Sequence, residues 1–234
     1  MLPRDEWVWW PLAPWLAWQG WRAIRTVPRL PPPREPGGRI DGNAPEFRLL
    51  GLGDSTIAGI GCESHAHALT GAVASRLAAR SGRAVVWHAL GVSGATAADV
   101  RRTLLADALA WGAHAVVLSV GVNDAVRGRR PGAFADDLRA IADAFARARP
   151  AVRVIYAGMP PIGSAPALSP PLSALLARRA RRLRAAADGA LSARAQVVLF
   201  PDSLAAEAFC SDGFHPGEVG CAAWSEWVAA RVAE

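Results

Sequence analysis

From Glu46 onward, short apolar runs alternate with segments whose apolar residues recur every three or four positions, and this alternation constrains the fold more than any other feature of the chain. The runs are Phe47 to Gly53, Ala84 to Val92, His114 to Val122, Ala151 to Gly158 and Gln196 to Phe200. Mostly Val, Leu or Ile, they read as strands buried on both faces. Between them stand helical stripes: Leu69, Val73 and Leu77; Val100, Leu104, Ala108 and Trp111; Phe134, Leu138, Ile141 and Phe145; Leu176, Ala180, Leu183 and Ala187. A last helix is expected from about Pro216 to Val232. Strands joined through helices pair in parallel by right-handed crossovers, which predicts a three-layer α/β/α sandwich on a five-stranded parallel sheet. The 234 residues suffice for one such core, and its site is expected outside the carboxyl ends of the strands.

Residues 1–45 do not follow this pattern. Trp7, Trp9, Trp10, Trp15, Trp18 and Trp21 cluster there, followed by a proline-rich tether from Pro28 to Gly38. The chain divides into an arm and tether, 1–45, and a domain, 46–234. Asp5 and Glu6 stand where a signal peptide carries positive charge, and no small-x-small cleavage site ends the apolar run. Pro11, Pro14, Gln19 and Arg22 interrupt the run well short of a membrane span. A cytoplasmic location is therefore expected, with peripheral membrane contact open through the arm.

All 26 basic residues are arginine. Without lysine the chain cannot form a Walker-type phosphate loop, a pyridoxal Schiff base or a Ser-x-x-Lys hydrolase. The net charge of +6 has no accompanying basic motif with interleaved aromatics, so nucleic acid is not an expected partner. Arg178, Arg179, Arg181, Arg182 and Arg184 read as the solvated face of the Leu176 helix, with an anionic membrane or acidic partner as the alternative. Three cysteines, Cys62, Cys210 and Cys221, leave at least one thiol unpaired; whether Cys210 and Cys221 pair is open.

Polar clusters follow the strands. Gly53-Asp54-Ser55 follows the first, Ser93-Gly94 the second and Gly121-Val122-Asn123-Asp124 the third, while Asp212-Gly213-Phe214-His215 precedes the last helix. Asp212 and His215, three apart on one loop, can meet through one imidazole nitrogen while the other faces a serine. Ser55 is the candidate nucleophile, on a turn entering a helix, with His215 as base and Asp212 as the group that holds the ring. The backbone N–H groups of Ser55 and Gly94 and the amide of Asn123 are candidate donors to an oxyanion, with glycine at 94 expected to permit close backbone approach.

These blocks, Gly53-Asp54-Ser55, Gly94, Gly121-x-Asn123-Asp124 and Asp212-x-x-His215, resemble the four signature blocks of the SGNH/GDSL hydrolases, in order across residues 47–220. The resemblance implies a flavodoxin-like sheet, a Ser-His-Asp triad, a Ser/Gly/Asn oxyanion hole and hydrolysis of carboxylic esters or thioesters without a cofactor. The run from Gly121 to Pro131 is similar to the esterase, lysophospholipase and thioesterase branch. Thr56 departs from the leucine that many members carry after the serine. The expected partner is a small acyl ester; a lysophospholipase or thioesterase activity, or a lipid- or glycan-binding module on the same fold, are the alternatives.

Other readings compete at single positions. Ser55 is also a plausible helix-cap serine, and Ser93 follows a strand, but Ala95 stands where a Gly-x-Ser-x-Gly elbow needs glycine. Asp54 and Asp124 read chiefly as structural acceptors, and His88 and His114 as packing histidines. Cys62, His65 and His67 lack a fourth metal ligand, and Thr56 replaces the third glycine of a dinucleotide loop. Asp54, Met159 and Pro160 are candidates for the substrate pocket, the last two on a loop after the fourth strand. The arm packs on protein (its own domain or a second copy), docks on lipid through tryptophans with Arg22, Arg25 and Arg29, or serves as a lid on the acyl pocket.

Overall fold

The computed structural model describes residues 9–197 and 203–233. Its strands are β1 (Gly37–Ile40), β2 (Ala44–Gly53), β3 (Arg83–Gly91), β4 (Ala115–Ser119), β5 (Arg153–Gly158) and β6 (Gln196–Val197). They form one six-stranded sheet in the order β1-β3-β2-β4-β5-β6. The five strands from β3 to β6 pair in parallel, as the alternation of strand and helix dictates. Of the expected fifth run, Gln196 and Val197 form β6, and residues 198–200 lie outside the described residues.

The expected strand count of five is corrected to six. β1 lies in the tether and runs antiparallel to β3, with Gly38 opposite Trp87 and Arg39 opposite Val86. A four-residue strand with two glycines has no apolar run to announce it; its partner imposes it. The sheet therefore begins before residue 46, where the sequence pattern starts.

Helices cover both faces. α2 (Leu69–Ser81) and α8 (Glu218–Ala233) lie on one, where Leu49, Val73, Val85, Val117, Trp224 and Val228 share a core. On the other lie α3 (Ala97–Thr103), α4 (Leu105–Trp111), α5 (Val122–Val126), α6 (Pro131–Ala148) and α7 (Leu172–Leu191), around Leu50, Leu118, Phe134, Leu138, Tyr156 and Leu183. Neighbours such as Val116 and Val117 feed opposite cores, the period-two alternation of a strand buried on both sides. Each such side chain stabilises the fold by roughly 1.5–3 kcal/mol. The stripe from Val100 to Trp111 was expected as one helix; it is interrupted at Leu104, where φ is −113°, although Leu104 keeps hydrogen bonds to Val100 and from Ala108.

The arm contains a helix, α1 (Ala13–Thr26), seated against α7. One side chain clasps it. The Gln19 amide donates to the Pro170 carbonyl at 2.9 Å and accepts from the Leu172 N–H at 3.1 Å. Among the described residues, no helix is long and apolar enough to cross a membrane.

Candidate active site

β2, β3 and β4 end side by side, and the polar clusters leave from their carboxyl ends. Gly53 lies so close to the Ser119 carbonyl that a Cβ there would collide with β4. This approach carries the chain over the sheet rim and delivers Ser55 onto a series of tight turns closed by Ala58 N–H to Asp54 O and Ile60 N–H to Ser55 O. The expected helix directly after Ser55 is absent; regular helix resumes only at Leu69, in α2.

The second and third clusters are stitched together. Thr96 caps α3 reciprocally with Asp99: the Thr96 hydroxyl accepts from Asp99 N–H, and the Asp99 carboxylate accepts from Thr96 N–H. Asp124 accepts the Ala97 N–H at 3.0 Å, Asn123 donates its amide to the Ala95 carbonyl at 3.0 Å, and Arg127 donates to the Gly94 carbonyl at 2.9 Å. The bond to Ala95 thus fixes the orientation of the Asn123 amide. The Gly94 requirement differs from expectation. A Cβ there would meet nothing within 4 Å, but φ is +82°, so backbone conformation and not crowding calls for glycine.

On the fourth loop, His215 Nδ1 lies 2.6 Å from Asp212 Oδ2. Asp212 Oδ1 accepts from the Phe214 N–H at 2.7 Å, the His215 N–H at 2.9 Å and the Cys210 thiol at 3.0 Å. Burial opposes ionisation of Asp212, but the His215 ring, the Cys210 thiol and the two backbone donors outweigh it and hold the carboxyl well below the usual range. Burial, with the adjacent Asp212 carboxylate, pushes the Cys210 thiol up to about 11. Cys210 is a contributor that the sequence reading did not single out; its place two residues before Asp212 was the available signal. Cys221 lies beside Cys62, with sulfurs 3.9 Å apart, and all three cysteines are free thiols.

Ser55, Gly94, Asn123 and His215 all line one cavity of about 870 Å³. Its apolar walls include Ile60, Val122, Leu172, Leu176 and Phe214, and α1 closes one side with Leu16, Gly20 and Ala23, followed by Val27 just past its end. A place beside the acyl pocket was one of the readings open for the arm from sequence, without these residues being named. Ser93 also borders the cavity. Asp54, Met159 and Pro160, expected in the pocket, do not line it. Met159 is buried against the backbone of Gly121, beneath the rim, and Pro160 is buried as well. Asp54 is buried with Oδ1 accepting from the Thr56 N–H, and desolvation raises its pKa to about 7. Asp124, likewise buried, is pushed up to about 6 by desolvation, with Arg129 nearby.

The remaining candidates sit elsewhere. His114 accepts from the Arg48 N–H at 2.9 Å, and His88 stacks on Trp111. His67 contacts Glu218, and no group of three or more ligating side chains gathers among the described residues.

The GDSL-like Lipase/Acylhydrolase family model matches residues 52–223. The chain belongs to that family. Solved structures share the fold at low identity. A lipase/acylhydrolase from Enterococcus faecalis is 22% identical with a TM-score of 0.63, covering 80% of this chain and 95% of its own. The psychrotrophic esterase EstA from Pseudoalteromonas sp., solved inhibited by monoethylphosphonate, is 16% identical with a TM-score of 0.58, covering 80% and 96%. A Clostridium thermocellum family 3 carbohydrate esterase is 15% identical with a TM-score of 0.59, covering 80% and 96%. No curated protein sequence matches the chain. This GDSL-family hydrolase combines the family's sheet with an arm that precedes the matched region and walls the cavity.

Proposed function

We propose that the protein is a serine esterase that hydrolyses carboxylic esters through an acyl-Ser55 intermediate. The observation that carries the reading is the convergence of Ser55, Gly94, Asn123 and an Asp212-held His215 on one apolar cavity. Nδ1 of His215 donates to Asp212, which leaves Nε2 to take the hydroxyl proton as Ser55 Oγ attacks the acyl carbon. The carbonyl oxygen becomes an oxyanion and accepts from the Ser55 and Gly94 N–H groups and the Asn123 amide. His215 then returns the proton to the departing alkoxide. A water, giving its proton to the same nitrogen, releases the acid and restores the serine.

The cavity favours a lipid-like acyl group, as a lysophospholipase or thioesterase takes. Its volume is at the upper end of the roughly 300–1,000 Å³ of small-molecule sites, and its walls are mainly aliphatic. Ser55→Ala should lower kcat on a chromogenic ester by at least about 10³-fold with the melting temperature retained. A phosphonate adduct mapped to Ser93 instead of Ser55, or undiminished turnover by the variant, would overturn the assignment. A panel of oxygen esters and thioesters of increasing acyl length then decides chain preference and linkage.

A further inference from the structure

α1 has two apolar faces, and only one is accounted for. Leu16, Gly20, Ala23 and Val27, spaced by four, three and four, turn toward the cavity. On the opposite side Trp15, Trp18 and Trp21 stand 42–54% exposed, with Trp10 just before the helix at 63%. Trp15 and Trp18 stack with ring centroids 4.7 Å apart. The guanidinium of Arg22 lies 5.6 Å from the Trp18 ring, and that of Arg25 lies 4.7 Å from the Trp21 ring. A folded monomer gains nothing by holding three large aromatic side chains in water, and such a patch marks a surface that meets something apolar.

We propose that this outer face of α1 docks on an anionic lipid bilayer. Charge selects that occupant. The outer face carries Arg22 and Arg25 against its tryptophan rings, and no aspartate or glutamate stands between Trp7 and Arg34. A second copy meeting this face by a two-fold axis would set arginine against arginine, whereas lipid phosphates complement it. Tryptophan is the ring that prefers the headgroup zone, where its body is apolar and its N–H is hydrated. A 14-residue helix is about 21 Å long, too short to span, so it lies in the interface. Because the inner face of the same helix walls the cavity, docking sets the site beside the bilayer surface.

The docking stands apart from the hydrolase reading, and the test keeps them apart by using the full chain carrying Ser55→Ala in every arm. Co-sedimentation is measured with vesicles of phosphatidylcholine alone and with phosphatidylglycerol added. The chain should partition at least about tenfold more strongly onto the anionic vesicles, and salt at about 0.5 M should remove the difference. Replacing Trp15, Trp18 and Trp21 together by alanine should lower partitioning at least about tenfold on both vesicles. Arg22→Gln with Arg25→Gln should lower it only on the anionic ones. These side chains are exposed, so circular dichroism melts should stay close to the parent, and the arginine pair gives a second reading if the triple variant melts early. Absence of partitioning, or equal partitioning by the variants, overturns the proposal. So does a dimer in gel filtration that the tryptophan substitutions convert to a monomer, since the face would then join two copies.

Discussion

Asp212 uses both carboxylate oxygens: one faces the His215 ring, and the other takes two backbone N–H groups and a thiol. Asp212→Asn preserves shape but places an NH₂ among these donors. Whether that NH₂ meets the ring or the N–H groups, a contact that the carboxylate satisfied becomes donor against donor or loses the charge that steadies an imidazolium. A fall in kcat of roughly 10³- to 10⁴-fold, with KM changed by less than about threefold, is expected from steady-state kinetics on a short-chain ester. A loss smaller than about tenfold would refute the role given to Asp212. At this scale the sequence was most readable, because Ser55, Asn123, Asp212 and His215 lie next to strand ends or on one short loop. Cys210 and Arg127 were not readable, since each acts through a backbone or carboxylate oxygen whose direction depends on the folded loop.

At the scale of elements, the central parallel strands were legible because burial on both faces demands unbroken apolar runs. β1 was not, because Gly37 and Gly38 carry no side-chain signal and the strand exists through pairing with β3. The break at Leu104 was hidden for a related reason: the apolar stripe continues across it, and only one backbone angle departs from the helical value. α1 depends on tertiary contact in the same way, and Gln19 is the joint to test. Gln19→Ala removes two hydrogen bonds to the start of α7 and the residues just before it, each contributing about 1 kcal/mol. Loosening the wall should raise KM for a long-chain ester about tenfold while leaving a short-chain ester within about twofold. Equal effects on both substrates would mean that α1 does not shape the acyl pocket.

Across the whole molecule, the buried carboxyl of Asp54 links stability to pH. Its folded pKa, near 7, lies above the ordinary carboxylate value, so the folded chain keeps a proton that the unfolded chain releases. The contribution is at its most favourable below about pH 4 and is lost at about 1.4 kcal/mol per unit as pH rises toward 7. Asp54→Asn retains an acceptor for the Thr56 N–H and abolishes the titration. Urea unfolding from about pH 5 to pH 8 should show the parent losing roughly 3 kcal/mol relative to the variant, the Asp124 contribution being common to both. Parallel profiles would place the proton elsewhere. The sequence marked Asp54 as a structural acceptor but gave no sign of this, because desolvation belongs to the assembled core.

The tether sets how far the wall can travel. Pro33 packs on the turn at Gly59 beside His65, and β1 begins four residues later, so the chain is pinned over this stretch. Between this pin and the end of α1 lie residues 27–32, which when fully extended reach about 20 Å. The strap therefore limits how far the carboxyl end of α1 can lie from the sheet, while Gln19 fixes the middle of the helix to the start of α7, so the cavity wall is held at two points.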